Sequence, residues 1–141
     1  MKVIAVPTHY VHRVWANIYP YIYSGLCEGK KQLHPNSLYT LDQIQSYVVS
    51  GEWELFISLD EEGKIHGAMT VAYINYPLHR VAFITIVGGR NICTKSNIDQ
   101  LKTLFLERGV TLIQAYGRRS ISRLWGRIDF KPRAILMELT I

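Results

Sequence analysis

Three arginines near the C-terminal end of the chain follow one another at a spacing of four residues: Arg119, Arg123 and Arg127. On a helix this spacing places all three side chains on one face. A guanidinium group binds phosphates and carboxylates in the same forked geometry. The arginine stripe therefore predicts a contact with nucleic acid or with an acidic protein surface, and the alternative is a solvated helix face that binds nothing.

A second group of candidate residues is the tyrosine patch around Pro20, formed by Tyr19, Tyr21 and Tyr23 with Tyr10 nearby. Side chains at successive odd positions of a helix cannot all face one core, so we expect some of these rings in solvent. Exposed tyrosines favour protein–protein contacts. The alternative is a kinked helix that covers a sheet.

No residue pattern indicates a metal centre, a hydrolase or a nucleoside triphosphatase. His9 and His12 are three residues apart, but a single pair is weak evidence for a metal ligand set. Neither Cys27 nor Cys93 has a recognisable partner, and both are expected to be free thiols. No serine lies in a G-x-S-x-G turn, and the chain has no G-x-x-x-x-G-K-[ST] loop.

Length and composition indicate a single globular domain over residues 1–141, with 48% hydrophobic and 19% charged residues. The formal net charge of +5 favours acidic partners in general. No apolar run approaches the roughly 20 residues of a membrane span, and the N-terminal apolar segment is too short for a secretion signal. We therefore expect no membrane association.

Hydrophobic periodicity predicts four helices. Pro20 should kink the first or divide it into two short helices. The second begins with the capping-box spacing at Thr40, the third is capped by Ser96 or Asn97, and the fourth covers residues 120–128. Apolar residues of the first helix recur at spacings of three and four, and comprise Val11, Val14, Trp15, Ile18, Ile22 and Leu26.

Alternating and continuous apolar runs predict about six strands. Three of them follow one another as a meander, and the third, Val81–Val87, has the composition of a strand covered on both faces. Helices then connect the remaining strands. This order predicts an α/β fold with a mixed central sheet of about six strands and helices on both faces. The predicted strands cover residues 2–6, 53–59, 65–76, 81–87, 110–116 and 134–141.

Two segments in the second half resemble the GNAT family of acetyl-CoA-dependent N-acetyltransferases. The run Phe83–Val87, a break and a helix over 97–108 resemble the family's central strand, pyrophosphate loop and helix. The segment Gly117–Pro132 resembles its last helix and the exit into its final strand. The resemblance covers nearly the whole chain, and it extends to small GNAT-like proteins of bacteriophages, some of which are virion components.

The loop after the central strand departs from the family pattern, which is Gln/Arg-x-x-Gly-x-Gly/Ala. In that pattern the glycines let main-chain N–H groups approach the pyrophosphate of the cofactor. In this chain Gly88 and Gly89 precede Arg90 and no glycine follows it, so side chains at 92–94 should crowd the phosphate site. If acetyl-CoA binds, the resemblance assigns it to Val87, Gly88, Gly89, Arg90 and Lys95.

The acid and base that the resemblance implies are also missing. The family's tyrosine on the last helix, which protonates the departing thiolate, is replaced by Trp125, whose indole gives up no proton at useful pH. The strand Val81–Val87 has no acidic residue that could serve as a base. The remaining candidates are expected to be structural or solvated: Glu52, Glu54, His66 and His79.

Two hypotheses follow. The first is a GNAT-fold protein of bacteriophage type that has lost catalysis and its cofactor and serves as an interaction module, in a virion or in the cytoplasm of the host cell. Its contacts would be the arginine stripe and the tyrosine patch, with a protein partner or, through the basic helix, nucleic acid. The alternative is a divergent acetyl-CoA-dependent N-acetyltransferase that acts on a primary amine. Neither hypothesis names a catalytic residue or a metal.

Overall fold

The protein is described by a computed structural model that covers residues 1–27, 37–90 and 92–141. These residues form one five-stranded sheet in which the strands lie in sequence order. Neighbouring strands are antiparallel except for the last pair, which is parallel. The strands are β1 (Lys2–Val6), β2 (Trp53–Leu59), β3 (Ile65–Asn75), β4 (Arg80–Gly89) and β5 (Leu112–Ala115).

Four helices cover the two faces of the sheet: α1 (Val11–Leu26), α2 (Leu41–Ser50), α3 (Lys95–Glu107) and α4 (Arg119–Gly126). A short 3-10 turn, Thr8–Tyr10, precedes α1. Apolar residues of α1 and α2 pack on one face of the sheet, around Leu55 and Ile57, and those of α3 and α4 pack on the other, around Phe56 and Met69. The predicted α/β class, with a mixed sheet and helices on both faces, is confirmed.

The prediction of a sixth strand over 134–141 is wrong for this structure. Residues 131–141 are exposed throughout and form no regular secondary structure. The period-two apolar pattern is present, but a strand also needs a partner for its main-chain groups, and in this conformation the segment lies against none of the described strands.

Pro20 does not divide the first helix in two, since α1 continues from Val11 to Leu26 as one element. The alternative of a kink at Pro20 stays a prediction. A proline removes one main-chain donor and leaves the carbonyl four residues earlier without its helical partner. Here both Pro20 and Ala16 are exposed, so water can satisfy that carbonyl. Ile18 and Ile22, both fully buried, anchor the helix on either side of the proline.

The capping box predicted at Thr40 is present, since its hydroxyl accepts from the N–H of Gln43 and the Gln43 side chain accepts from the N–H of Thr40. Helix α3 is capped differently from the prediction. Thr94, not Ser96 or Asn97, is its cap, and the threonine hydroxyl accepts from the N–H of Asn97. The helix therefore begins earlier and closer to the end of β4.

None of the helices in the described residues is long and apolar enough to cross a bilayer.

Candidate functional site

Strands β4 and β5 separate partway along β4. Their parallel pairing ends at Ile84 and Ala115. Beyond that point β4 continues to Gly89 against β3 alone, whereas the chain leaves β5 and enters α4. No strand of the described chain pairs with the second edge of residues 85–89. The main-chain groups along that edge are therefore available to a ligand, in the way that an open strand edge accepts an added strand.

A β-bulge lies at the point of separation. Thr70 of β3 is opposite Ile86 while Val71 is opposite Ile84, so Thr85 is the extra residue. Its hydroxyl lies 2.7 Å from the hydroxyl of Thr70 and is within 3.0 Å of the Thr70 carbonyl oxygen. A bulge bends its strand and increases the local twist, which contributes to the divergence of β4 from β5.

The separated strands enclose a cavity of about 830 Å³. This volume is in the range of small-molecule binding sites. Its walls are β4, the C-terminal end of α1, the segment before α3, and the segment from the end of β5 through α4. The lining residues used below are Thr85, Gly88, Cys93, Tyr116, Arg118 and Arg127.

The charged side chains in the described lining of the cavity are all positive. Its described lining contains no aspartate, glutamate, histidine or lysine, and its charged side chains are those of Arg118 and Arg127. Both arginines are exposed at the surface. Arg118 is the N-cap residue of α4, and Arg127 is its C-cap residue. Guanidinium groups in a cavity wall favour an anionic ligand.

The N-terminus of α3 reaches the same cavity through Cys93 and Thr94. The N–H groups of Lys95 and Ser96 belong to the first turn and have no helical acceptor, while that of Asn97 is used by Thr94. Both Lys95 and Ser96 are exposed. The combination of free donors and the positive end of the helix dipole is an anion-binding arrangement.

Ile92 and Cys93, which the sequence predicted would crowd this loop, pack into the core on the α3 side of the sheet. Ile92 is almost completely buried, and burial raises the pKa of the Cys93 thiol to about 12. Cys93 therefore remains a neutral thiol at physiological pH and is a poor nucleophile. Both cysteines of the chain are free thiols, as expected.

The glycines at the end of β4 are explained by close approach of main chains. A Cβ atom built on Gly88 would lie 1.8 Å from the carbonyl oxygen of Tyr21, and one on Gly25 would lie 2.6 Å from that of Val87. Gly89 has φ of 90° and lies against the main chain of β3. Helix α1 can cross the end of β4 at this distance only because neither Gly25 nor Gly88 has a side chain.

The indole of Trp125 is buried in the core beside Phe130, with ring centroids 5.0 Å apart. Tyr116, just after β5, lines the cavity, and its ring packs edge-on against Phe83. The sequence analysis missed Tyr116 as a functional candidate because it was counted within a buried-type strand. A signal was present, since the following residue is Gly117, which marks the end of that strand.

The candidate bases lie outside the cavity. Glu54 accepts hydrogen bonds from Arg108, at 2.6 and 2.7 Å, and from the Tyr73 hydroxyl. His66 lies 2.7 Å from Asp60, and this hydrogen bond lowers the pKa of the Asp60 carboxyl. His79 lies 2.9 Å from the hydroxyl of Thr111. Glu52 is exposed after α2. These residues have structural partners or are solvated.

The predicted contact residues do not form one surface. Arg119 and Arg123 are exposed on α4 and do not line the cavity, whereas Arg127 does. Lys95 borders a separate shallow depression on α3, and Arg90 is exposed beyond the end of β4. On α1, which covers the opposite face of the sheet from α4, Tyr19 and Tyr23 are exposed.

Tyr21 differs from its neighbours in the tyrosine patch. It is partly buried, and its hydroxyl donates to the carbonyl oxygen of Ile65 at 3.0 Å. The patch therefore divides into a packed ring, Tyr21, and two solvent-facing rings one helical turn apart, Tyr19 and Tyr23.

Comparison with known proteins gives matches in structure alone. No protein-family model matches the sequence, and no curated protein sequence is significantly similar to it. A GCN5-related N-acetyltransferase from Ralstonia eutropha JMP134 superposes with a TM-score of 0.70 at 12% identity, over 99% of this chain and 97% of that one. A predicted acetyltransferase from Clostridium acetobutylicum, solved with acetyl-CoA, gives 0.66 at 14% identity, over 99% and 95%.

An aminoglycoside acetyltransferase from an uncultured soil metagenomic sample, solved with sisomicin, gives a TM-score of 0.69 at 13% identity, over 99% of this chain and 95% of that one. Such low identities show similarity of fold and leave the activity open. The superpositions extend over nearly the whole chain, and the chain has the fold of the GCN5-related N-acetyltransferases.

Proposed function

We propose that the chain binds acetyl-CoA between β4 and β5 and transfers its acetyl group to a primary amine. The observation that carries the proposal is the separation of these two strands after Ile84, next to the N-terminus of α3. This separation exposes a strand edge and two arginines to one cavity, which is also lined by Thr94, the N-cap of α3. The superposed structures are acetyltransferases, and this supports the proposed activity by analogy.

The chain offers complementary groups for each part of such a ligand. The open edge of residues 85–89 would bind the amide groups of the pantetheine arm as an added strand does. The N–H groups of Lys95 and Ser96, with Arg118 and Arg127, would bind the phosphates. When bound, acetyl-CoA supplies an acetyl group activated as a thioester. Gly88 and Gly89 line the cavity. The binding of acetyl-CoA by residues 87–89, which the sequence resemblance implies, is therefore part of this proposal.

The chemistry would depend on few side chains. Tyr116 is the phenol that follows the separated end of β5, and it would donate the proton that the leaving sulfur needs. Because the described lining has no carboxylate or imidazole, the amine would lose its proton to water and would react in its neutral form. We therefore expect the rate to rise with pH until the amine itself is deprotonated.

The absence of a base from the described lining also favours a second function, binding without catalysis. In that case the arginine stripe and the exposed tyrosines would be the contact surfaces, and the fold would serve as an interaction module. Assembly into a bacteriophage particle and binding of nucleic acid through α4 remain predictions from the sequence. No binding of acetyl-CoA, together with no release of free thiol across a panel of primary amines, would support this second function.

The test of the proposal is calorimetric titration with acetyl-CoA on two matched double variants. Arg118→Ala with Arg127→Ala removes both cavity-lining charges, and Arg119→Ala with Arg123→Ala removes two charges from the same helix outside the cavity. A lost hydrogen bond to a charged group costs about 1.5–3 kcal/mol, so the first variant should bind at least about ten-fold more weakly. The second should bind within about two-fold of the wild type.

A thermal-shift measurement provides an independent readout, because a ligand at 100 times its Kd stabilises the folded state by about 2.7 kcal/mol. For the wild type, a flat response at millimolar acetyl-CoA would contradict the proposal. Equal weakening in both double variants would show that the ligand responds to general charge and not to this cavity.

A further inference from the structure

The cavity between β4 and β5 is lined from both faces of the sheet. Ile92 and Trp125 belong to the core on the α3 and α4 face, whereas Leu26, Tyr39 and Ile86 belong to the core on the α1 and α2 face. The α3 and α4 face carries the groups assigned above to the phosphates of acetyl-CoA. The amine that accepts the acetyl group would therefore occupy the part of the cavity lined from the α1 and α2 face.

The segment before α2 forms a wall of this part of the cavity, through residues 37–39. The Ser37 hydroxyl donates to the carbonyl oxygen of Tyr39 at 3.0 Å. The Tyr39 ring lies edge-on to the ring of Trp53, with centroids 4.9 Å apart, and Trp53 is itself buried. These contacts hold the wall in place without a ligand, so that binding needs little further ordering of this segment.

The side chains of this wall and of the end of β5 are apolar and open to solvent. Leu38 exposes 73% of its surface and Tyr116 exposes 67%, and both line the cavity. Phe83, which packs edge-on against Tyr116, lines the cavity as well. Apolar side chains that are exposed in a concave site favour a ligand with an apolar group. Three of these side chains, with Tyr39 included, are aromatic.

A second ammonium group on the ligand would gain little in this cavity. The charged side chains of its described lining are the guanidinium groups of Arg118 and Arg127, which have the same sign as an ammonium group. Moving a charge from water to an apolar wall is costly unless an opposite charge pairs with it. The lining therefore favours an acceptor with a single amine over a polycation.

We infer that the acceptor is a primary amine attached to an uncharged aromatic group, as in an arylalkylamine, and that Leu38, Tyr39 and Phe83 contact this group. The inference rests on the proposed acetyl transfer and names the class of its acceptor. Edge-on and offset contacts with the aromatic side chains would orient the ring. The chain to the nitrogen would then extend toward the point where β4 and β5 separate.

At that point the neutral nitrogen would attack the carbonyl carbon of the acetyl thioester. The new C–N bond forms and the C–S bond breaks. The nitrogen releases a proton to water, and the leaving sulfur takes a proton from the Tyr116 hydroxyl, which water restores. The products are the N-acetylated arylalkylamine and free CoA.

The first experiment is calorimetric titration of the full chain with three amines, both alone and with saturating CoA. The amines are 2-phenylethylamine, ethylamine, which lacks the ring, and spermidine, which carries further ammonium groups instead. Since burial of a phenyl ring is worth at least about ten-fold in affinity, 2-phenylethylamine should bind at least about ten-fold more tightly than either. Binding of spermidine or ethylamine as tight as that of 2-phenylethylamine would overturn the inference.

Two matched variants locate the contact. Leu38→Asp places a carboxylate in the cavity wall, whereas Leu78→Asp places one in the turn between β3 and β4, at a leucine that is 87% exposed and outside the described lining. Because a charge beside an apolar ring is unfavourable, Leu38→Asp should weaken 2-phenylethylamine at least about ten-fold. Leu78→Asp should stay within about two-fold of the wild type. Equal effects would overturn the inference, and urea titrations check that both variants fold.

The second experiment separates this inference from the proposed acetyl transfer, by comparing kcat/KM for 2-phenylethylamine and spermidine with the binding of acetyl-CoA. If acetyl-CoA binds and spermidine is acetylated as efficiently as 2-phenylethylamine, acetyl transfer stands and the aromatic acceptor is wrong. If acetyl-CoA does not bind but 2-phenylethylamine does, and Leu38→Asp weakens it, acetyl transfer is wrong and the site for an aromatic amine stands. If neither binds, both are wrong.

Discussion

The two ends of β4 differ in how completely their neighbours occupy them. At the N-terminal end, β4 lies between β3 and β5, and Arg80 stacks on Tyr73 at 4.8 Å while its Nε donates to the carbonyl oxygen of Arg108. At the C-terminal end, β4 has one neighbouring strand and the cavity along its other edge. One strand therefore combines a closed, fully bonded end with an open end.

The comparison shows how this fold separates stability from binding. The closed end joins β2, β3, β4 and α3 through the ion pair of Glu54 and Arg108 and the rings around it. The open end is held in place by the main-chain contact between α1 and β4. A cavity can exist at one end of a central strand because the other end keeps the sheet together.

The largest expected effect comes from Gly88→Ala at the open end. The added Cβ would overlap a main-chain carbonyl, which no rotamer change can relieve, so α1 must move away from β4. We expect the free energy of unfolding to fall by about 3 kcal/mol or more in urea titrations. Gly126→Ala is the control, since a Cβ there meets no atom within 4 Å, and it should change stability by less than about 1 kcal/mol. Comparable losses would contradict the packing argument.

An intermediate effect is expected from Glu54→Gln at the closed end. The change removes the charge that Arg108 pairs with in a half-buried setting, and stability should fall by about 1–2 kcal/mol. Glu107→Gln removes an exposed carboxylate 4.0 Å from the same arginine and should cost less than about 0.5 kcal/mol. Acetyl-CoA affinity should be unchanged in both variants. A loss of affinity in Glu54→Gln would show that the two ends are coupled.

The smallest expected effect concerns Cys93 and alkaline pH. Burial raises its pKa from 9.0 to about 12, so the folded state holds a proton that the unfolded state releases. The resulting stability is fully present below pH 9 and is lost as the pH rises toward 12. Between pH 9 and 10 the free energy of unfolding of the wild type should fall by about 1 kcal/mol. The free energy of unfolding of the Cys93→Ala variant should fall less over the same range. If urea titrations show the same loss of stability with pH in the wild type and in Cys93→Ala, the thiol is not buried.

The sequence was informative where local chemistry determines structure. The Thr40 capping box, the apolar row of α1 and the alternation in β2 each depend on residues close together in the chain, and each was found at or near its predicted position. The ion pair of Glu54 and Arg108 joins residues 54 positions apart, and no local pattern indicates it. The cavity arises from a bulge and a main-chain contact, neither of which has a sequence period.

The final segment shows a different limit of sequence reasoning. The alternation of Ile135, Met137 and Leu139 correctly identifies the composition of a strand, but pairing depends on which edge is open and on the path that the chain takes after Phe130. Tyr116 was missed for a similar reason. Its position at the end of β5 becomes a position in a cavity wall only because β4 and β5 separate there.

The contact of Gly25 and Gly88 has a consequence for how this site can change over evolution. With main chain against main chain, the wall formed by α1 and β4 carries no side chain at that point whose exchange would enlarge, shrink or recharge the cavity. The wall formed by Tyr116, Arg118, Leu124 and Arg127 consists of exposed side chains. Variation in ligand preference among descendants of this sequence should accumulate on the α4 side, while the glycine side stays constant.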